Sequence, residues 1–242
     1  MMSPMRDNLI FLDTETTGKD GDARLVQLAY KKRGDADTVT EFFKPPIPIE
    51  IEAMVVHHIT EKKVAGKPAF ADSPAHRTLA ALLKDGVLVS HNAKFDIGIL
   101  EREGVSVGRH ICTMKITQTM YDLPMYKMQY LRYLWNVDED DNESENTTAH
   151  SAEGDVTILE KVFDRLAADY AKKNGTSPNA TIEAFIDISK KPILLRRVTF
   201  GKYAGKTFEE IKAADRSYLE WMASLEDKDE DFRYTAKYYL ER

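Results

Sequence analysis

Residues 9–18 read LIFLDTETTG, an apolar strand that ends in two carboxylates and a turn residue. Alternate side chains of a strand share one face, about 7 Å apart, so Asp13 and Glu15 project the same way. Two partly desolvated carboxylates repel each other, and a cation or a shared proton normally stabilises such a pair. Because hard oxygen ligands suit Mg²⁺ or Mn²⁺, the segment predicts a divalent metal site. The alternative is that Asp13 or Thr16 only caps a turn beside Gly18.

A third carboxylate, Asp96, follows a second apolar strand. The run Val87-Leu88-Val89 is typical of a buried parallel strand, and Ser90-His91-Asn92 lead from it into a helical pattern. Asp96 lies in or near the first turn of that helix, where the helix N-terminus also stabilises a carboxylate. Asp96 is therefore either a member of the acidic site or a residue that stabilises the helix.

A fourth carboxylate, Asp155, lies on a helix predicted from about Ala152 to Tyr170. It sits four residues before Leu159, on the apolar stripe that faces the core. Burial of an unpaired carboxylate costs several kcal/mol, whereas coordination to a metal removes that penalty. The pattern therefore favours a site role for Asp155 over a solvated position.

His150 precedes the same helix and is the candidate general base. Five residues separate His150 from Asp155, which is about 500° of helix rotation, so the two would point apart within a regular helix. We therefore expect His150 to reach the site from the loop before the helix. A neutral imidazole with an ordinary pKa of about 6.5 suits the activation of water. The alternative is an ordinary surface or core histidine.

These residues resemble the DEDD exonucleases of the DnaQ-like, RNase H-like superfamily. The four acids of that family match Asp13, Glu15, Asp96 and Asp155. The spacing of His150 and Asp155 matches the His-bearing subgroup, called DEDDh. The tyrosine subgroup instead has a tyrosine four residues before the last acid, where this chain has Ser151.

Further stretches match the same family, so the resemblance covers nearly the whole chain. They are His57-His58-Ile59-Thr60, His91-Asn92-Ala93-Lys94-Phe95-Asp96, Ile111-Cys112-Thr113-Met114-Lys115, Thr199-Phe200-Gly201-Lys202-Tyr203-Ala204-Gly205-Lys206 and Tyr218-Leu219-Glu220-Trp221. The last two are similar to the C-terminal end of the bacterial exonuclease X group.

The resemblance implies 3′-to-5′ hydrolysis of DNA to nucleoside 5′-monophosphates with two divalent cations, Mg²⁺ or Mn²⁺. It implies that Asp13, Glu15 and Asp155 hold the first ion, and that Asp13 and Asp96 hold the second. Two such ions lie about 4 Å apart and share the activation of water and the stabilisation of the leaving oxygen. His150 is implied to be the general base.

The resemblance also implies a set of substrate-binding residues. Backbone groups at Glu15 and Thr16 are similar to those that receive the 3′ hydroxyl of the terminal nucleotide. We assign Thr14, Thr16, His57 and Asn92 to substrate binding on this basis. Two alternatives stay open, because Asn92 is also a natural helix cap and His57 could close a turn.

Two features depart from the family pattern. Many relatives have an apolar wedge just after the glycine of the first motif, where this chain has Lys19; Leu25 is the nearby candidate to replace it. The second departure is the segment 138–145, which holds six acids and no base directly before His150. We interpret it as a solvated loop, with a regulatory or substrate-mimicking element as the alternative.

The net charge of −6 is explained by the acidic segment, because its six acids leave the rest of the chain balanced. Between Lys172 and Lys206 there are eight Lys or Arg and two acids. This surplus is a candidate phosphate-binding segment, with plain solubilisation of a linker as the alternative.

A single cysteine, Cys112, excludes an internal disulfide and a cysteine-rich zinc site, and it favours a reducing compartment. No run approaches the about 18 apolar residues of a membrane span, and Met1 to Asn8 lack the apolar core of a secretory signal. We therefore expect a soluble cytoplasmic protein.

The predicted fold class is α/β, an RNase H-like mixed five-stranded sheet flanked by helices, with a small C-terminal module. Strands are expected near 8–13, 24–32, 38–43, 87–90 and 110–112; helices are expected near 73–84, 93–103, 114–121, 127–135 and 152–170. We predict an exonuclease domain at 1–172, a basic linker with a short helix at 173–195, and a C-terminal module at 196–242. With 43% hydrophobic residues, the chain can bury one sizeable core and a smaller one.

The leading hypothesis is a metal-dependent 3′-5′ exodeoxyribonuclease that acts on single-stranded DNA ends, with duplex ends left open, in DNA repair. One alternative is the same chemistry on short RNA or RNA ends, because the catalytic residues do not read the sugar. An alternative of another class is a catalytically idle binding module. No membrane is expected as a partner; whether the C-terminal module binds nucleic acid or protein, and whether the chain forms a homodimer, stay open.

Overall fold

The computed structural model describes residues 8–137, 152–199, 201–225 and 230–242. The strands are β1 (Leu9–Thr16), β2 (Leu25–Lys32), β3 (Val39–Phe42), β4 (Val87–Ser90) and β5 (His110–Cys112). The helices are α1 (Ile51–His57), α2 (Glu61–Val64), α3 (Pro74–Asp85), α4 (Ala93–Arg102), α5 (Thr113–Met120), α6 (Met128–Leu134), α7 (Ala152–Asn174), α8 (Pro178–Lys190), α9 (Phe208–Ala214), α10 (Arg216–Ser224) and α11 (Glu230–Leu240).

The sheet has five strands in the order β3-β2-β1-β4-β5. The strand β1 pairs antiparallel with β2 and parallel with β4. The outer strand β3 pairs antiparallel with β2, and the outer strand β5 pairs parallel with β4. This is the mixed five-stranded sheet predicted from the sequence. The sequence does not predict the short helices α1 and α2, because 7 and 4 residues are too few for a hydrophobic period to be recognised.

The alternation of β1 divides the core between the two faces of the sheet. Leu9 and Phe11 pack in the cluster formed with α5, α6, α7 and α8, whereas Ile10 and Leu12 pack in the cluster formed with α3 and α4. Because Asp13 and Glu15 have the parity of Leu9 and Phe11, they point to the face that α7 covers.

Helix α8 belongs to the main core, although it lies within the predicted linker segment. Ile182, Phe185 and Ile186 are buried in the same cluster as Phe11, and the Phe185 ring lies edge-on to Phe163 with their centroids 5.9 Å apart. Helix α7 continues to Asn174, four residues beyond its predicted end. The predicted boundaries therefore remain a hypothesis about independent folding units.

The C-terminal module has a hydrophobic cluster of its own, built from Ile193, Leu195, Val198, Phe208, Ile211, Leu219, Met222 and Ala236. The glycines of its Gly-Lys pairs form a tight turn, since Gly201 and Gly205 have φ angles of 72° and 84°. Two backbone hydrogen bonds close this turn, Val198 N–H to Lys206 O at 2.9 Å and Gly205 N–H to Val198 O at 2.7 Å.

Polar contacts attach the module to the sheet domain. Asp231 on α11 accepts a 2.8 Å hydrogen bond from the Ile193 amide and forms a 3.1 Å ion pair with Lys115 of α5. Arg197 forms two hydrogen bonds with the carboxylate of Asp122, at 3.1 and 3.2 Å. Among the helices in the described ranges, none is both long and apolar enough to span a bilayer.

Candidate active site

Asp13 and Glu15 lie where β1 extends beyond its parallel neighbour. The paired residues of β1 and β4 end at Phe11, opposite Val89, so the last residues of β1 are open on that side. On its other side, Glu15 pairs with Gln27, and the register shifts directly afterwards. Both carboxylates are half-buried at the carboxyl end of the central strand.

Asp155 completes a group of three carboxylates. Helix α7 crosses the face to which Asp13 and Glu15 point, and its first turns bring the buried Asp155 side chain to them. One carboxylate oxygen of each of the three residues lies within 4.8 Å of the others. The predicted convergence of these three acids is present in the structure.

Asp96, the fourth predicted acid, lies outside that group of three. It is 3% exposed, and both of its oxygens accept hydrogen bonds. Thr14 Oγ1 donates to Oδ1 at 2.7 Å, and Ser90 Oγ donates to Oδ2. Thr14, which holds Asp96, is the chain neighbour of Asp13, and the charge of Asp96 raises the pKa of Asp13.

The carboxyl groups of the site repel one another. Burial, followed by the charges of Asp96, Glu15 and Asp155, raises the pKa of Asp13 well above its usual range. Burial, followed by the charge of Asp155, raises the pKa of Glu15 to about 8. Burial also raises the pKa of Asp96 to about 6, although the hydrogen bonds from Ser90 and Thr14 act in the opposite direction.

This donor set fits a hard divalent cation. It consists of carboxylate oxygens gathered closely enough to share one ion. The charges that act on the pKa values of Asp13 and Glu15 are those of the neighbouring carboxylates, and a bound cation would offset that repulsion. The residues of the site therefore fit Mg²⁺ or Mn²⁺.

A neutral amide holds Asp155 in place, which the sequence did not reveal. Gln129 Nε2 on α6 donates a 2.7 Å hydrogen bond to Asp155 Oδ1. Arg132 Nη1, one turn further along α6, lies 3.5 Å from Gln129 Oε1. No motif marks Gln129, and only the packing of α6 against α7 gives it this role.

The predicted substrate residues on β1 are buried beside the acids. Thr14 directs its hydroxyl to Asp96, so its side chain acts inside the protein. Thr16 Oγ1 donates to the carbonyl oxygen of Gly18 at 2.6 Å, which fixes the turn after β1. The assignment of both residues to substrate binding remains a prediction.

His57 orients the backbone of Thr16. Its Nδ1 accepts the Ile59 amide at 3.0 Å, so the ring proton lies on Nε2, which donates to Thr16 O at 3.1 Å. Burial lowers the pKa of His57 and keeps the ring neutral. His57 thus closes a turn, which was the alternative interpretation, and also holds the backbone group assigned to substrate binding.

Asn92 is exposed at the start of α4, four residues before Asp96. Its backbone is left-handed, with φ 66° and ψ 46°, and its side chain forms no capping hydrogen bond. Asn92 therefore occupies the N-cap position of α4, but its side chain does not cap the helix. Its neighbour His91 contacts Thr113 Oγ1 at 2.9 Å and Tyr126 O at 2.7 Å, and burial lowers its pKa to about 4.

The suggestion that Leu25 replaces the apolar wedge was wrong. Leu25 is 1% exposed and packs in the core beneath α3 and α4, because its position on β2 points inward. Lys19 is exposed, as are its neighbours Asp20, Gly21 and Asp22. Among the described residues of this turn, no apolar side chain projects into solvent.

Local acids neutralise part of the predicted phosphate-binding segment. Lys202 Nζ lies 3.1 Å from Asp215, Lys206 Nζ lies 3.6 Å from Glu210, and Arg197 contacts Asp122. The two Gly-Lys pairs are therefore parts of a structured turn. The surplus of positive charge counted along the sequence does not form one uniform surface there.

His150 lies outside the described residues, and so does the acidic segment 138–145. Both remain as predicted from the sequence.

Two family models and several relatives match this chain. The family model described as Exonuclease matches residues 10–163, and the model described as Exodeoxyribonuclease X-like C-terminal matches residues 198–226. Exodeoxyribonuclease 10 of Escherichia coli (strain K12) is 31% identical over 243 aligned residues, which cover 96% of this chain and 99% of that protein. The DNA polymerase III subunit epsilon of Treponema pallidum is 25% identical and covers 69% of this chain and 80% of its own length.

A solved structure gives the same result. Exonuclease X in complex with 5′ overhanging duplex DNA superimposes with a TM-score of 0.58 at 26% identity, covering 75% of this chain and 99% of that chain. The family match spans the elements that carry Asp13, Glu15, Asp96 and Asp155. The resemblance seen in the sequence is thus confirmed, and the chain belongs to the exonuclease family, with a C-terminal part of the exonuclease X type.

Proposed function

We propose that the protein is a metal-dependent 3′-5′ exodeoxyribonuclease that releases nucleoside 5′-monophosphates from DNA ends and acts in DNA repair. The observation that carries this proposal is the convergence of Asp13, Glu15 and Asp155 within 4.8 Å, with Asp96 hydrogen-bonded to Thr14, the chain neighbour of Asp13. Membership of the exonuclease family supports phosphodiester hydrolysis at this site.

The four carboxylates would hold two divalent cations. Asp13, Glu15 and Asp155 would bind the first ion, and Asp13 and Asp96 would bind the second. When bound, such ions lower the pKa of water and offset charge on the phosphodiester. Gln129 keeps Asp155 in position through a neutral hydrogen bond. The hydroxyls of Thr14 and Ser90 do the same for Asp96. The site is thereby organised before the substrate arrives.

His150 would accept the proton from the attacking water. An imidazole with an ordinary pKa of about 6.5 is half neutral near that pH and can act as a base above it. Within the described ranges, His57 and His91 have both ring nitrogens engaged with protein atoms. Neither of these two rings is therefore available as the base, and the spacing of His150 and Asp155 carries this part of the proposal.

DNA is the proposed substrate because the similar proteins are a deoxyribonuclease, a DNA polymerase subunit and an exonuclease solved with DNA. Thr16, His57 and Asn92 would line the site of the terminal nucleotide, where the backbone of Thr16 receives the 3′ hydroxyl. The single buried cysteine, Cys112, is consistent with activity in the cytoplasm.

Matched DNA and RNA oligonucleotides of one sequence, labelled at the 5′ end, test this proposal. With Mg²⁺ or Mn²⁺, we expect a ladder of DNA products shortened from the 3′ end, and no ladder in excess chelator. Preferential shortening of RNA would show that the substrate is RNA and would contradict the proposal of DNA. Intact DNA and RNA with either metal would instead indicate the catalytically idle binding module.

A further inference from the structure

A groove runs along the junction between the sheet domain and the C-terminal module. Its central cavity has a volume of about 660 Å³, and cavities of about 320 and 580 Å³ adjoin it. The central and smaller cavities share Asn92, Met114 and Asp231, and the central and larger cavities share Gln118 and Leu195. Because they share these residues, the three cavities lie side by side along the junction, and we call them together the junction groove.

The junction groove is lined by residues that lie close in the chain to residues of the candidate active site. Asn92, which lines it, immediately precedes α4 and so lies one helical turn from Asp96. Met128, also in its wall, is the neighbour of Gln129, whose amide contacts Asp155. A nucleic-acid strand that leaves the acidic cluster towards Asn92 and Met128 would therefore pass along the groove.

The walls of the groove combine apolar surfaces with positive charge. Met125 is 43% exposed and lines the central cavity together with Phe232 of the module. The described cations that line the three cavities are Lys94, Lys115, Lys127, Lys190, Lys191 and Arg196, and the described acids are Asp187, Glu230 and Asp231. The six cations exceed the three acids by three, and Asp231 is already paired with Lys115.

This combination suits a single-stranded polyanion with flat bases. Single-strand sites use cations that follow the phosphates and aromatic or apolar surfaces that contact the bases. A protein partner would also bury apolar surface, but it would not require the cations or a position beside residues of the candidate active site. The charge and the position of the groove therefore favour nucleic acid.

We propose that the junction groove binds the single-stranded part of the substrate on the 5′ side of the scissile phosphodiester. The bases contact Met125, Met128 and Phe232, and the phosphates lie near Lys127 and Lys190. The C-terminal module thus forms one wall of a substrate track. This proposal rests on the proposed nuclease function, because it assigns a further binding region to the same substrate.

Two substrates of different reach test the groove in the full-length protein. The p-nitrophenyl ester of thymidine 5′-monophosphate fits at the acids alone, whereas an oligodeoxythymidylate of about 20 nucleotides exceeds the about 4–16 nucleotides of a typical single-strand site. The measured quantity is the ratio of kcat/KM for the oligonucleotide to kcat/KM for the ester. The variants are Met125→Ala and the double variant Lys127→Glu/Lys190→Glu.

We expect this ratio to fall about tenfold in the double variant and severalfold in Met125→Ala. The salt dependence of oligonucleotide binding should also weaken, by a slope of about 0.7 for each phosphate that the variant no longer neutralises. Lys84→Glu is the control for a charge reversal away from the groove, because Lys84 is exposed in the last turn of α3, at the opposite end of β4 from the site. The control should keep the wild-type ratio.

An unchanged ratio in both groove variants overturns the proposal, and so does an equal fall in Lys84→Glu. If charge reversal prevents folding, as judged by Tm, the result is taken from Met125→Ala, whose side chain is exposed. Failure of the proposed function is distinct, because the wild-type protein would then cleave neither substrate. A protein-docking groove would leave both ratios at the wild-type value.

Discussion

The side-chain amide of Gln129 donates a 2.7 Å hydrogen bond to Oδ1 of Asp155, which links α6 to the acidic cluster. This amide fixes the direction of the carboxylate without adding charge to a site that already repels itself. Removal of a residue that hydrogen-bonds to a metal ligand commonly lowers metal affinity or activity by about 10- to 100-fold. Gln129 is therefore a positioning residue.

We predict that Gln129→Leu raises the concentration of Mn²⁺ needed for half-maximal activity by about tenfold. Gln129→Glu should have a larger effect, because it keeps the shape and replaces a donor with another negative charge. Titration of activity with metal measures both variants. Tyr133→Ala is the control, since Tyr133 lies on the same helix and is 69% exposed. A wild-type metal titration in Gln129→Leu would contradict this role.

The two hydroxyls on Asp96 lower its pKa against the effect of burial, so their loss should raise that pKa further. We predict that Ser90→Ala and Thr14→Val move the acidic limb of the pH–activity profile to higher pH and lower activity about 10-fold. Thr14→Ser keeps the hydroxyl and should restore most of the wild-type profile. Initial rates measured across the pH range test this prediction. An acidic limb that stays at the wild-type pH in Ser90→Ala and Thr14→Val would exclude a role of the two hydroxyls in setting the pKa of Asp96.

The metal-free protein should lose stability as the pH rises. Glu15 has a pKa of about 8 in the folded protein and an ordinary value of about 4.3 in the unfolded chain. Between these values the folded state holds a proton that the unfolded state has released, so the free energy of unfolding falls with increasing pH. Below about pH 4 both states are protonated, and this loss is absent.

Thermal unfolding with a chelator measures this effect. We expect Tm to fall by about 5 °C or more from pH 5 to pH 9, since 1 kcal/mol corresponds to about 2–4 °C in a chain of this size. Mg²⁺ should raise Tm more at pH 9 than at pH 5, and Glu15→Gln should flatten the dependence. Equal stabilisation by Mg²⁺ at both pH values would argue against binding at these carboxylates.

Loss of a metal ligand or of the base should impair catalysis more than folding. We predict that Asp13→Ala and His150→Ala each lower turnover by at least about 100-fold. Asp13→Ala also removes electrostatic repulsion, so its Tm in chelator should equal or exceed that of the wild type. Undiminished digestion by either folded variant would remove that residue from the catalytic assignment.

Helix α8 should be necessary for the stability of the exonuclease domain. Phe185 is fully buried and contacts the rings of Phe163 and Tyr170, with centroids 5.9 and 5.2 Å away. Phe185→Ala should therefore cost about 3–5 kcal/mol in the free energy of unfolding. Denaturant unfolding measures this, and Glu183→Ala on the same helix is the control.

The control removes only a half-exposed ion pair with Arg109 and should cost at most about 1 kcal/mol. If Phe185→Ala were equally mild, the boundary predicted at residue 172 would describe an independent domain. A large cost would move that boundary beyond α8.

The sequence by itself determined the strands, the four acids and the family. Periodicity is local, so the alternation of β1 was enough to place Asp13 and Glu15 on one face. The apolar stripe of α7 was enough to mark Asp155 as a charge that faces the core. These inferences needed no knowledge of which elements pack together.

The tertiary structure decided which neighbours those residues have. Only the docking of α6 on α7 brings Gln129 to Asp155, and only the inward position on β2 buries Leu25 and removes it as a wedge. Likewise, α8 belongs to the core because its apolar face completes the layer over the sheet. Contacts between distant segments depend on how side chains fill shared space, and local sequence patterns do not encode that packing.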